Sequence, residues 1–552
     1  MILEQRSLQT DVLVLGGGLA GCMAAIKAAE YPVDVTLVEK SKPERSGCAA
    51  TGLDHFWTLP PDKGVTPEEL IRKYSENVEY LVDQEILHTI VTESFQRVQD
   101  LERWGLNMRA DNGNYRWVRE PFIYPYELSI HFAGHNIKRV MTDEARKRKV
   151  RILERAMATR LLTDDNGRVV GAIAFNHREA SVTAIRAKAV VVTTGGATRF
   201  YRTPSGRAFS TFCSPSDTGD GFSMAFHAGA QLTCMEFSEG TAAPKSFRPG
   251  SIGNFTSVGG KLVNVKGEPF SQTHLRFLFA ANFLREVEQG NGPLFVDTSG
   301  IPDENWRWTE MGLGNEVPMF LEHLKKTGKF RKPLRLAVGI TEYDVRDGRS
   351  GLVIDKYGRA SLPGLYAAGD AMGGVAEAGM PGAVTMGWKA GETAGAYATD
   401  VDHGQVNPEQ IAAEVRRLEA PLQRKEGVTW REVQSILQQV MSEQAERPRS
   451  ESGLRFALRK VEELAEIAGG QLTARDGHEA YRCAEVQSLL DTARMVVAAS
   501  LERKESRHLP YFERQEYPNR DDENWLKFVV LQKEGDGIKV THKPIPMPYG
   551  RP

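Results

Sequence analysis

The chain has 552 residues, an apolar fraction of 41% and a formal charge of −2, from 70 Lys and Arg against 72 Asp and Glu. At about 100–200 residues per domain this is room for three or four structural units, and the balanced charge excludes a disordered tail-binder and a basic nucleic-acid surface. No apolar run approaches the roughly 18 residues of a membrane span, and the opening MILEQRSLQTDVLVLGGG carries no basic region or cleavage site, so a cytoplasmic protein without a secretory signal is expected. Cys22, Cys48, Cys213, Cys234 and Cys483 form no C-x-x-C pair, so free thiols are expected, with neither an iron–sulfur centre nor any metal in this chain.

Near the start, Asp11–Leu15 is an apolar strand, followed at once by Gly16-Gly-Gly-Leu-Ala-Gly21, a helical stretch to Glu30, and a second strand, Asp34–Glu39. This order is a dinucleotide fingerprint. Gly16 makes the turn, Gly18 lets a pyrophosphate approach the backbone, Gly21 lets helix pack on strand, and Glu39 accepts from a ribose. The helix N-terminus adds free N–H groups and the positive end of its dipole.

Three later pieces select FAD over NAD. Ala187–Gly196 is a buried strand ending in a glycine pair, with Thr194 and Gly195 at the cofactor. Ser216-Asp-Thr-Gly-Asp220-Gly221 opens a helix. Gly364–Asp370 is a strand ending in Gly-Asp, ahead of a Gly-rich turn and a helix near Gly387–Tyr397. In Rossmann-type flavoproteins of this pattern the acid, here Asp370, holds the ribityl chain, and the following helix start, with Ala383 and Val384, faces the flavin.

On these motifs the sequence resembles the flavoprotein subunits of the succinate dehydrogenase and fumarate reductase family, with its closest likeness to adenylylsulfate reductase α subunits. Glu39–Gly47 through Gly52 resembles the flavin-contacting loop, adding Lys40, Ser46 and Gly47 to the expected cofactor contacts. Leu101–Leu106, Gly229–Phe237, Gly259–Phe270, Glu505–Arg507 and Tyr517–Leu526 are similar to further family segments. The resemblance implies an α/β fold: a Rossmann-type FAD-binding domain interrupted by an α+β capping domain and followed by a C-terminal helical domain. The expected division is 1–235 and 335–403 for the FAD-binding domain, 236–334 for the cap, 404–510 for the helical domain and 511–552 for a C-terminal extension, whose polar, Pro-rich end, Lys533–Pro552, is draped on a partner or another domain. The resemblance also implies a ferredoxin-like iron–sulfur partner in a homo- or hetero-oligomer.

Departures from the family pattern bear on chemistry. The histidine that carries covalent FAD in membrane-bound relatives is matched by Gly47, so the FAD is expected to be non-covalent. The Arg and Glu of the fumarate reductase substrate loop fall on Thr256 and Val258, its carboxylate-gripping histidine falls on Glu342, and its turn arginine has no counterpart in Gly374–Gly382. A dicarboxylate buried there would go unneutralised, several kcal/mol per charge. The His and Lys of adenylylsulfate reductases are likewise replaced in Val338–Thr341 and Gly374–Ala378, and an asparagine near their flavin reads Trp57.

Candidates for proton transfer and substrate binding are therefore His55, with Asp54 and Trp57, His135, and Glu342 and Tyr343; Arg248, with Lys245, is the candidate for an anionic substrate group. The leading reading is an FAD-dependent oxidoreductase passing electrons between a small polar, anionic substrate and an iron–sulfur partner. Adenylylsulfate reductase proper, or a flavin-holding chain without a substrate of its own, remain open.

Overall fold

The computed structural model describes residues 2–119, 123, 125–245, 252–270, 276–341, 343–346 and 348–552, without the side chains of 51 and 276–280. Its central sheet is built from apolar runs. Val12–Leu15, Val35–Glu39 and Ala189–Val192 are buried along their whole length, as strands covered on both faces must be. The sheet order is Leu365–Ala367, Ala189–Val192, Val12–Leu15, Val35–Glu39, Arg151–Glu154, parallel throughout. The strand at one edge is thus supplied after a long excursion of the chain. The helices Leu19–Ala28 and Gly379–Asp400 lie against each other and start at the C-terminal ends of their strands, where open α/β sheets bind ligands.

The expected hairpin around Asp164–Gly167 is present, Ala156–Thr163 against Val169–Asn176, in a second sheet with Ser181–Arg186 and Glu4–Gln9. The intervening segment has a separate apolar core that includes Phe255, Phe283, Val296, Trp306, Leu313 and Val338. It surrounds a four-stranded sheet ordered Ala242–Pro244, Arg335–Ile340, Leu294–Asp297, Lys261–Val263.

Helices Pro408–Gln423, Trp430–Gln444, Glu451–Gln471 and Gly477–Glu502 follow. Their starts are written locally: Asn407 caps ahead of Pro408, Thr429 and Glu432 close a capping box, and Ser450 and Asp476 cap the other two. Phe528–Glu534 pairs with Leu232–Thr233 and turns back as Gly537–Lys543.

A small three-stranded sheet does the most to place polar groups. Register sets His55 opposite His131, and Arg116 opposite His131 on the other side. Directly opposed residues share a face, so three polar side chains are forced together.

Candidate functional site

A cavity of about 380 Å³ runs along the C-terminal ends of the parallel strands. It is walled by the glycine turn, the loop Arg45–Ala49, Thr193–Gly195, Phe212–Ser214, Asp217, Asp220, Asp370 and the start of the helix Gly379–Asp400. Of the residues expected at the cofactor, Gly16, Gly18, Glu39, Lys40, Ser46, Gly47, Thr194, Gly195, Asp220, Asp370 and Ala383 line it. Gly21 and Val384 lie behind the wall.

The glycines divide the work physically. A Cβ on Gly21 would stand 1.8 Å from the Gly16 carbonyl oxygen, so only glycine lets the helix close on the turn. A Cβ on Gly18 meets nothing within 4 Å. Gly18 is the N-cap of Leu19–Ala28 and supplies no side-chain cap, so the first N–H groups of that helix stay open toward the cavity. Lys138, 2% exposed, stands behind the same turn and donates to the Gly17 carbonyl; the Ser46 hydroxyl donates to that oxygen at 3.2 Å. The turn is therefore a diphosphate cradle with a buried cation beneath it. Glu39 accepts from the N–H groups of Gly17 and Ser41, both at 2.6 Å, which fixes its carboxylate at the cavity edge. The donor set fits an FAD: N–H groups and a cation for the diphosphate, an acid for the ribose, and Asp370 with a second helix start farther along.

Gly47 has φ +73, and a Cβ there would stand 3.3 Å from Gly18 Cα. A histidine at this place would be strained and would crowd the cradle.

Lys40 lines the cavity and is also held from the helical domain. Its ammonium donates to Ser216 O, Thr218 Oγ1 and Asp220 Oδ2 at 2.7–2.8 Å and pairs with Glu485 Oε1 at 2.9 Å. Burial would lower this ammonium, but the Asp220 and Glu485 carboxylates outweigh it and hold it above its ordinary value. Glu485, fully buried, also pairs with Arg199 at 2.8 Å. Lys40 and Asp220 thus tie the helical domain to the cofactor wall. The Thr194 hydroxyl is turned toward Gly221, leaving its backbone to line the cavity.

Beyond Gly52 and Leu53 in the wall lie Asp54 and His55. The His55 Nδ1 is 2.7 Å from Asp54 Oδ1, and both side chains are partly exposed. Burial would raise the Asp54 carboxyl, but the adjoining His55 ring holds it below the usual carboxylate range. His131 stacks on His55 with centroids 4.5 Å apart and planes at 9°, its Nδ1 2.6 Å from Arg116 Nη1. Burial, with the His55 charge beside it, pushes His131 down to about 3. Asp54, His55 and His131 bring ligand atoms within 4.8 Å of one another. Nearly parallel rings aim their in-plane lone pairs past a common point, however, so this arrangement suits a proton-carrying pair better than a metal.

The remaining candidates fare differently. His135 is exposed; its backbone packs against Gly52 in the wall. Tyr343 does not reach the cavity: it is 6% exposed, its ring lies 6.1 Å from that of Tyr201, and burial raises its hydroxyl. The segment 343–346 is extended, so alternate residues face opposite sides, and Arg346 takes the cavity side instead. Arg248 and Glu342 lie outside the described residues. Trp57 is buried against Tyr74. Sequence reasoning misses Lys138, Arg346, Cys48 and Cys213, all of which meet the cradle or cavity through contacts distant in the chain.

Comparison with known proteins agrees with this geometry. Residues 11–385 match the family described as FAD binding domain, and residues 434–550 match that described as fumarate reductase flavoprotein C-term. A chain of the fumarate reductase (CoM/CoB) of Methanothermobacter marburgensis is 26% identical over 96% of this chain and 98% of its own length. The fumarate reductase flavoprotein subunit of Mycobacterium tuberculosis is 28% identical over 97% of each. The solved adenylylsulfate reductase of Archaeoglobus fulgidus has the same fold, with a TM-score of 0.89 at 23% identity over 98% of this chain and 96% of that one. With well over half of its length accounted for in this way, the chain belongs to the FAD-binding flavoproteins of the succinate dehydrogenase and fumarate reductase family, a family of FAD-dependent oxidoreductases.

Proposed function

We propose that this chain is the flavoprotein subunit of an oxidoreductase that passes electrons between a small, polar, anionic substrate and a ferredoxin-like iron–sulfur partner, with FAD held non-covalently. Bound FAD supplies two-electron chemistry toward substrate and single-electron exchange with a cluster. The chain's own part is to bind, orient and move a proton. The open N–H groups at Gly18, backed by Lys138, hold the diphosphate, and Glu39 and Asp370 hold the sugar portions. Gly47 leaves no side chain to form a link.

The observation that carries the reading is the Asp54–His55 pair one step beyond the cavity wall. A partly exposed imidazole oriented by a carboxylate can both give and take a proton, and its exposed part is within reach of a substrate. His131, kept neutral by burial, holds that ring flat without adding charge. Relatives include proteins named for fumarate and for L-aspartate, both small carboxylates. Fumarate itself fits poorly. The position matched to its substrate-loop glutamate is Val258, which is 3% exposed in the core of the intervening segment.

The test is to reconstitute the chain with FAD and screen small carboxylates, sulfite with AMP, and reduced ferredoxin anaerobically by flavin absorbance. Bleaching or reoxidation by one anion and by ferredoxin supports the reading. A flavin that exchanges electrons with ferredoxin and with no anion would make the chain an electron-transfer component only.

A further inference from the structure

The helix Ile137–Lys147 has two different faces. Ile137, Met141 and Ala145 are fully buried, and Lys138 reaches inward to the Gly17 carbonyl. Arg139, the next residue, points outward and is 81% exposed. Arg139, Asp143, Arg146 and Lys147 recur at the i, i+4, i+7, i+8 spacing of one helix face, so they form a single outward stripe. The stripe meets the turn Pro43–Arg45, where Arg146 pairs with Glu44. Between stripe and turn lies a groove of about 400 Å³ lined by Lys42, Glu44, Arg45, Arg139, Asp143 and Arg146.

All six lining residues are ionisable, four positive against two negative, on a chain whose formal charge is −2. Both carboxylates are engaged: Glu44 by Arg146, and Asp143 by Arg146 at 3.6 Å and Arg139 at 3.7 Å. Lys42 and Arg45 are exposed and have no ion pair among the described residues. The groove therefore keeps an excess of positive charge. Arg45 also lines the cofactor cavity, so a single loop separates the groove from it. A second basic run, Lys325, Lys326, Lys329, Arg331 and Lys332, is exposed on the intervening segment, and none of its residues lines the cofactor cavity.

We propose that the groove between Lys42, Arg45 and the Arg139 stripe is the docking face for the electron partner, a small iron–sulfur protein that presents a patch of Asp and Glu. This dock rests on the reading that such a partner exists, and adds its place and the force that seats it. Opposite charge speeds encounter and fixes orientation, and its effect falls as salt rises. None of the six lining side chains is buried, so a small anion would stay hydrated and screened there, whereas an acidic protein face meets all four cations together. Of the two basic faces, this one shares a wall with the cofactor cavity.

The experiment mixes the flavin-loaded full chain with a plant-type [2Fe–2S] ferredoxin rich in Asp and Glu. A carbodiimide joins carboxylates to lysines in direct contact, and the cross-linked peptides are weighed. The expected cross-links are to Lys42 and Lys147, present at about 0.02 M salt and lost at about 0.5 M, where the Debye length is only a few ångströms. In stopped flow, Lys42→Glu with Arg139→Glu should slow flavin reduction by reduced ferredoxin about 10-fold at low salt, converging with the wild type at high salt. Photoreduction of the same flavin should be unchanged, and Lys329→Glu with Lys332→Glu should behave as the wild type. Cross-links confined to the Lys325–Lys332 run, cross-links indifferent to salt, or none at all would overturn the dock. Cross-links at Lys42 and Lys147 without any flavin reduction would uphold the dock and overturn the electron-passing reading instead.

Discussion

The Lys138 ammonium donates to the backbone carbonyl of Gly17, from inside the protein and on the far side of the glycine turn from the cavity. Because Lys138 is 2% exposed, its charge is little screened by water, and it acts on the cradle through a single peptide group. Lys138→Met keeps the stem and removes the charge. It should weaken FAD binding about 10- to 100-fold, the worth of a charged hydrogen bond, as read by titration of flavin fluorescence.

Gly18 and Gly21 should separate when each is changed to alanine. Gly18→Ala adds a methyl that touches no protein atom, so the melting temperature of the FAD-free chain should stay within a few degrees while FAD affinity falls. Gly21→Ala drives a methyl into the Gly16 carbonyl and should lower stability by about 1–3 kcal/mol, an overpacking cost, whether or not FAD is present. Thermal melts with and without FAD distinguish the two.

Asp54→Asn leaves the shape of the His55 contact and removes its charge. With the substrate returned by the anaerobic screen, kcat should fall about 10²-fold or more while FAD affinity is unchanged, and the pH–rate profile should move. A profile left in place would assign Asp54 a purely structural part.

His131 makes stability depend on acid. An unfolded histidine titrates near 6.5, whereas His131 in the folded chain is pushed down to about 3. Above 6.5 both states hold it neutral and pH has no effect through it. Between those values the unfolded chain takes up a proton that the folded chain refuses, so stability falls by up to about 1.4 kcal/mol per pH unit. Urea unfolding from pH 7.5 to 4.5 should show a shallower loss in His131→Gln than in the wild type.

Lys40 and Glu485 share a buried pair at 2.9 Å. Removing one partner leaves the other charge uncompensated, so Lys40→Met should cost about 3–5 kcal/mol, and Lys40→Met with Glu485→Gln less than the two single changes together. A double-mutant cycle by chemical denaturation measures it.

What can be read from sequence follows the range of the interaction. The glycine turn, Glu39, Gly47 and the helix caps are set by spacing within a few residues, and they stand where the motifs put them. Asp54 and His55 can be named because they follow the turn directly, but their stacking on His131 depends on strand register. Sequence points to Tyr343 and passes over Arg346, although they are neighbours in one extended segment: which side faces the cavity is decided by pairing with Glu239 and Ala197, which sequence does not display. Lys40 reads as a cofactor contact from its motif, but its partner Glu485 is not legible because it lies in a distant helix. Lys138 and the meeting of Cys48 and Cys213 in one cavity wall are invisible for the same reason.

The central sheet receives its edge strand, Leu365–Ala367, long after the glycine turn has been made. During synthesis the ribosome presents the cradle early, with Asp370 and the second helix start still untranslated. Capture of the flavin is therefore a late event in the life of the nascent polypeptide, and the growing chain must keep an unfinished groove from aggregating until those last walls emerge.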